Sequence, residues 1–400
     1  MLSKEMYNLG SARSAIRELF EYGRLKALEC GPENVMDFSL GNPSIPAPKE
    51  VEDAILKLIK EESPTALHGY TSAVGDNNAR TSIAESLNRR YNSGLAADNL
   101  FIIGGAAPAV ISCLKALTES PNSEFITIAP YFPEYKVYIE NGAGAVMRVV
   151  PADTESFQIN FPALEEIINP NTCGIIINSP NNPSGVVYTL QTLERLSKLL
   201  EEKSKEFDRT IYLISDEPYR ELVYGGVEVP YVPAVYKNTL ICYSYSKSLS
   251  LPGERIGYVV VPPSAHDWQN IYLAVAGAAR AIGHVCAPSL MQKVAGLCCD
   301  VAPDLSIYER NSTLLYDRMT QIGYNCAKPD GAFYLFFGAP NGLSGKDFSD
   351  LAKDKYNLLA VPGDSFGCPD HIRMSYCVPT ERIEKALPFL EELFEISKAK

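Results

Sequence analysis

Ser244-Tyr-Ser-Lys247-Ser-Leu-Ser-Leu-Pro-Gly-Glu-Arg255-Ile-Gly257 sets one lysine among small hydroxyl residues and follows it, eight positions later, with an arginine. An ordinary lysine amine, with a pKa of about 10.4, is protonated at pH 7 and does not attack carbonyls. One that forms Schiff bases must be desolvated or set near another cation. Ser244 and Ser246 can donate hydrogen bonds to phosphate oxygens, and Arg255 can grip the same group as a planar fork. Such a segment can hold a phosphorylated aldehyde, pyridoxal phosphate, covalently and ionically at once. The plainer alternative is a polar loop between two strands.

Outward from that segment, seven apolar runs (FIIGG, EFITIAP, AVMRVVP, CGIIINSP, IYLISDEP, LICYSYS and IGYVVVP) alternate with helix-like stretches such as 106–118 and 189–203. This alternation predicts a mostly parallel sheet covered by helices on both faces. After about residue 280 the pattern changes to amphipathic helices over 286–300 and 304–322, short strands around 333–337, 358–361 and 371–376, and a helix from Thr380. Near the start, Ile16, Leu19, Phe20, Leu25 and Leu28 recur at helical spacing after Ser11, a candidate N-cap. The expected fold is α/β: a large domain over 46–282 with a sheet of the seven-stranded type, and a smaller α+β domain over 283–400. The segment 1–45 is expected to join the smaller one.

A net charge of −12 over 400 residues argues against nucleic acid or an anionic membrane as a partner, since both need basic faces. Ten cysteines without a C-x-x-C pair suggest reduced thiols. His68, His266, His284 and His371 lie too far apart in sequence to suggest a metal centre. No basic-then-apolar leader and no apolar run of membrane-spanning length is present, so the expected location is cytoplasmic.

In open α/β sheets, ligands sit beyond the carboxyl ends of the strands, which singles out the residues after each run. Gly104-Gly105-Ala106-Ala107 opens a helix after FII, and its small side chains let backbone amides approach a phosphate. Phe132 follows FITIAP and offers a face on which a heterocycle can stack. Asn178-Ser-Pro-Asn181-Asn182-Pro183-Ser-Gly185 forms a rigid turn that can aim an amide. Asp216-Glu-Pro-Tyr219 places a carboxylate and a phenol where the sheet ends. Taken singly, these read equally as an ordinary turn, a core aromatic and a helix cap.

In this order, together with a late Arg373-Met-Ser375, the motifs resemble the fold-type I pyridoxal-phosphate enzymes, specifically the class I/II aminotransferases of the aspartate aminotransferase group. The resemblance runs from Gly41-Asn-Pro43 to Ser375. It implies that Lys247 forms the internal aldimine and moves the substrate proton, and that Asp216 pairs with the pyridine nitrogen. Tyr219 and Asn182 hydrogen-bond the phenolic oxygen, and Phe132 stacks on the ring where the group often has tryptophan. Ser244, Arg255 and the amides of Gly105, Ala106 and Ala107 form the phosphate cup, with Ser246 a less certain member. Arg373 clamps the substrate α-carboxylate beside Gly41. Tyr70 reaches the cofactor of a neighbouring subunit, implying a homodimer with shared sites. The implied activity is ping-pong transfer of an amino group from an amino acid to a 2-oxo acid. A carbon–sulfur β-lyase or related eliminase on the same fold is the alternative. Arg280, Lys293, Arg13 and Arg17 are candidates for holding a distal substrate carboxylate, and equally for interface or solvated charges.

Overall fold

In the computed structural model, which describes residues 2–11 and 14–398, the seven apolar runs form one seven-stranded sheet. Its strands are β1 (Leu100–Ile103), β2 (Glu124–Ile128), β3 (Val146–Val150), β4 (Thr172–Asn178), β5 (Tyr212–Asp216), β6 (Thr239–Ser244) and β7 (Gly257–Val260). Their order is β1-β7-β6-β5-β4-β2-β3. Only β7 opposes its neighbours, pairing antiparallel with β1 and β6. β4, β5 and β6 are buried at every residue, because a sheet covered on both faces needs apolar side chains at both parities. β3, at an edge, is largely exposed.

Strand alternation sorts the cover. Phe101 and Ile103 point into a cluster with Val110, Leu114, Val275 and Ala279, from the helices Ala106–Leu117 and Trp268–Ala281. Leu100 and Ile102 pack on the opposite face with Val51, Ala79, Met291 and Val294. Leu193, Leu196 and Leu200 of the helix Leu190–Glu206 cover Ile175 and Leu213.

The second body is an antiparallel sheet of β8 (Tyr334–Gly338), β9 (Val361–Pro362) and β10 (His371–Ser375), in the order β9-β10-β8. The helices Ser306–Ile322, Gly345–Tyr356 and Thr380–Ser397 bury Leu315, Phe348 and Leu390 with it. Met36–Asp37 pairs in parallel with Leu358–Leu359, and Phe38 enters the same core.

Three details differ from the sequence expectation. The helix Ala15–Cys30 is capped by Ser14, whose hydroxyl accepts from the Arg17 amide, while Ser11 ends a separate helix, Lys4–Ser11. The run at 358–361 is two short strands with different partners. The helix Ser289–Leu297, expected beyond a boundary at 282, packs with the larger sheet's cover, and the first residue after it to join the smaller core is Leu305. Periodicity identifies an amphipathic helix but not which layer receives its apolar face.

Candidate active site

β4, β5 and β6 run parallel and in register, so Asn178 lies opposite Asp216 and Asp216 opposite Cys242 at one edge of the sheet. β6 ends at Ser244, whose hydroxyl accepts from the Ser246 amide and starts the single helical turn Tyr245–Ser248 that carries Lys247. A cavity of about 290 Å³ opens over this edge. Gly41, Asn182, Asp216, Tyr219, Lys247 and Arg373 line it, and Ala106, Ala107, Phe132, Ser244, Ser246 and Arg255 complete its wall.

Two expected residues lie off the wall. Gly105, at φ +98°, caps the helix Ala106–Leu117 behind Arg255, where an added Cβ would stand 2.7 Å from a guanidinium nitrogen. Tyr70 is 90% exposed. Among the distal-carboxylate candidates, Lys293 is paired with Glu62 at 2.8 Å, and Arg17 and Arg280 are exposed. None of these three lines the cavity, and Arg13 falls outside the described residues.

Asp216 and Arg373 are buried, Lys247 is half-buried and Arg255 is exposed at the cavity's rim. Burial pulls the Lys247 amine down to about 8, and the Arg373 and Arg255 guanidiniums push it the same way. Its Nζ donates to the Gly41 carbonyl at 2.7 Å. Burial lifts the Asp216 carboxyl to about 7, although the Tyr135 hydroxyl, donating to Oδ2 at 2.6 Å, pulls against it. The other oxygen, Oδ1, is buried without a partner. Arg373 is 2% exposed. Its Nη1 donates to Asn182 Oδ1 at 3.0 Å and its Nη2 to the Ser39 carbonyl at 2.5 Å. The Asn182 amide donates to Asn178 Oδ1 at 2.8 Å. Ser244 and Ser246 share a hydrogen bond of 2.7 Å, and Arg255 Nη1 donates to the Pro252 carbonyl at 2.9 Å.

Three contributors were not singled out by sequence. Tyr135 anchors Asp216. Asn178 binds both the Asn182 amide and the Asp216 carbonyl; its place at a strand end was the available signal. Tyr334 lines the cavity with its hydroxyl 3.0 Å from that of Tyr219. In sequence it reads as one more aromatic in a strand.

Among the described residues no group of three or more His, Cys, Asp or Glu is arranged to hold a metal, and no helix is long and apolar enough to cross a membrane. The residues present do fit pyridoxal phosphate. A buried carboxylate oxygen without a partner suits a protonated ring nitrogen, a desolvated amine suits an aldehyde, and a glycine-capped helix start beside Arg255 suits a phosphate.

Fold and site thus define a pyridoxal-phosphate-dependent enzyme with the aminotransferase-type arrangement of domains. The chain belongs to the aminotransferase class I and II family, whose sequence profile matches residues 33–390. It is 29% identical to the aspartate aminotransferase of Thermotoga maritima over 92% of this chain and 94% of that protein. It is 26% identical to aromatic-amino-acid aminotransferase 2 of Thermococcus litoralis, over 96% of each. The crystal structure of an amino transferase from Eubacterium rectale superposes with a TM-score of 0.96 at 55% identity, covering 99% of both chains.

Proposed function

We propose that this chain moves an amino group from an amino acid to a 2-oxo acid in two half-reactions at one site, the ping-pong order, as a homodimer. The observation that carries the reading is the placement of the Lys247 amine, the unpaired Asp216 oxygen and the Arg373 fork on one cavity. When bound, pyridoxal phosphate supplies an aldehyde that condenses with amines and a ring that withdraws electrons from the carbon losing its proton. The protein's part is positioning and proton movement. Arg373 pairs with the substrate α-carboxylate through two parallel hydrogen bonds and so orients Cα. Gly41, lacking a side chain, leaves room for that carboxylate. Lys247 Nζ takes the Cα proton; a pKa of about 8 keeps a useful fraction neutral near pH 7 to 8, where general bases work best. Asp216, whose Oδ1 has no partner, would hold a protonated ring nitrogen, and that positive charge would in turn favour its carboxylate form. Tyr70, 90% exposed, is a large ring left for a second copy to cover.

The direct test is Lys247→Ala. The visible absorbance of lysine-bound cofactor should disappear and turnover should fall by a thousandfold or more, on the order expected for losing the proton-carrying base. Transamination at the wild-type rate would refute the assignment. Pyruvate release from cystathionine, with no amino transfer to 2-oxoglutarate, would place the chain among the β-lyases instead.

A further inference from the structure

Tyr334 stands at a three-way junction in the site. It lies on β8 of the smaller sheet, is 2% exposed and lines the cavity. Its hydroxyl is 3.0 Å from that of Tyr219, which belongs to the turn after β5. The Arg373 guanidinium sits over its ring at 4.6 Å from the centroid. On its third side is Gly41, where any Cβ would collide with the Tyr334 hydroxyl. One side chain therefore touches the residue proposed to tune the cofactor, the residue proposed to clamp the substrate, and the backbone that accepts from Lys247.

Burial raises the Tyr219 phenol well above its ordinary range and the Tyr334 phenol to about 12, so both keep their protons at neutral pH. Two neutral phenols that share one hydrogen bond use one proton between them and leave the other free. Once Tyr219 donates elsewhere, Tyr334 must be the donor to Tyr219. A phenol that accepts a hydrogen bond is a better donor in turn.

We propose that Tyr334 is a positioning residue for the cofactor: its hydroxyl donates to Tyr219 and thereby aims and strengthens the Tyr219 hydrogen bond to the cofactor's phenolic oxygen, while its ring seats the Arg373 fork. This rests on the role that the family resemblance implies for Tyr219, a hydrogen bond to the cofactor's phenolic oxygen, and extends it to a residue of the smaller sheet. Donation to the phenolic oxygen stabilises its anionic form. The midpoint at which the bound cofactor's visible absorbance titrates with pH is therefore held low by both tyrosines.

The experiment is a spectrophotometric pH titration of substrate-free holoenzyme for wild type, Tyr334→Phe, Tyr219→Phe and the double variant, with a melting curve for each. Tyr334→Phe keeps the ring and loses one buried hydrogen bond, so its melting curve should stay cooperative and shift down by only a few degrees. Its midpoint should rise by about half a pH unit, a threefold change in the proton equilibrium. Tyr219→Phe should raise the midpoint further, and the double variant should match Tyr219→Phe alone. A raised midpoint in Tyr219→Phe with none in Tyr334→Phe overturns the proposal and leaves the Tyr219 role standing. Equal and additive shifts overturn it too, since Tyr334 would then act without Tyr219. No shift in any variant removes the Tyr219 reading itself and the proposal with it.

Discussion

Asp216 carries the largest tension in the site. Its carboxyl is raised from 3.8 to about 7, first by burial, then by the nearby charge of Glu217, with the Tyr135 hydrogen bond opposing. A folded-state pKa above the unfolded one means that the folded apoprotein holds a proton which the unfolded chain has already released. Stability from this group is thus fully present below about pH 4 and falls as pH rises through 7. The difference corresponds to roughly 4 kcal/mol once the group is fully ionised. Asp216→Asn, which keeps the shape and an acceptor for Tyr135, should therefore stabilise the apoprotein at pH 8, with an advantage that shrinks toward pH 5. The same variant should lose transamination by about a hundredfold or more, since the ring nitrogen has no anion beside it. Thermal melts of apoprotein at several pH values, beside assays of holoenzyme, check both halves. An Asn variant no more stable than wild type at pH 8 would show that the carboxylate finds a partner in the apo state. Asp216 and Lys247 were legible in sequence because few residue types can do their chemistry and both sit where strands end. Tyr135 and Tyr334 were not. Their partners lie 81 and 115 residues away, and a tyrosine in either place reads equally as a core side chain.

At the scale of elements, the strand-to-helix junctions do the positioning, and these were the most legible parts of the chain. The seven runs were marked by continuous apolar composition, and the site residues by their place just past the carboxyl end of each run. Less legible was the cover. The helix Ser289–Leu297 sits on the larger sheet because its apolar stripe meets Val51 and Ala79, a match of surfaces that no local pattern records. The junction at Gly105 is the most demanding. Its φ of +98° and ψ of −179° lie in a region essentially reserved for glycine, and an added Cβ would press on the Arg255 guanidinium. Gly105→Ala should weaken cofactor binding by about tenfold, the equivalent of about 1.4 kcal/mol, by turning the helix start and displacing Arg255. Titrating apoprotein with pyridoxal phosphate gives the dissociation constant directly, and an unchanged value would mean that the added Cβ is absorbed without moving the helix start or Arg255.

For the whole molecule, the remaining question is whether one chain completes a site. Twelve of the residues expected at the site come from this chain's own cavity wall, whereas Tyr70 lies off that wall, 90% exposed. A large ring fully in water gains nothing from burial, so its place invites a partner surface. In a homodimer with two-fold symmetry, whatever Tyr70 gives to the neighbouring site it also receives from the neighbour. Mixing two disabled chains tests this arrangement. Lys247→Ala and Tyr70→Ala homodimers should each be impaired, the first abolished and the second reduced through weaker cofactor retention. Unfolding and refolding them together at equal amounts yields hybrids in which one site has Lys247 from one chain and Tyr70 from the other, both intact, while the second site carries both lesions. Random assortment makes half of the dimers hybrid, so about a quarter of wild-type sites should be restored. Activity measured at limiting pyridoxal phosphate, where the Tyr70→Ala homodimer is least active, should rise above the sum of the two separate preparations. A mixture that only averages its components would mean that Tyr70 serves its own chain and that each site is built from one subunit.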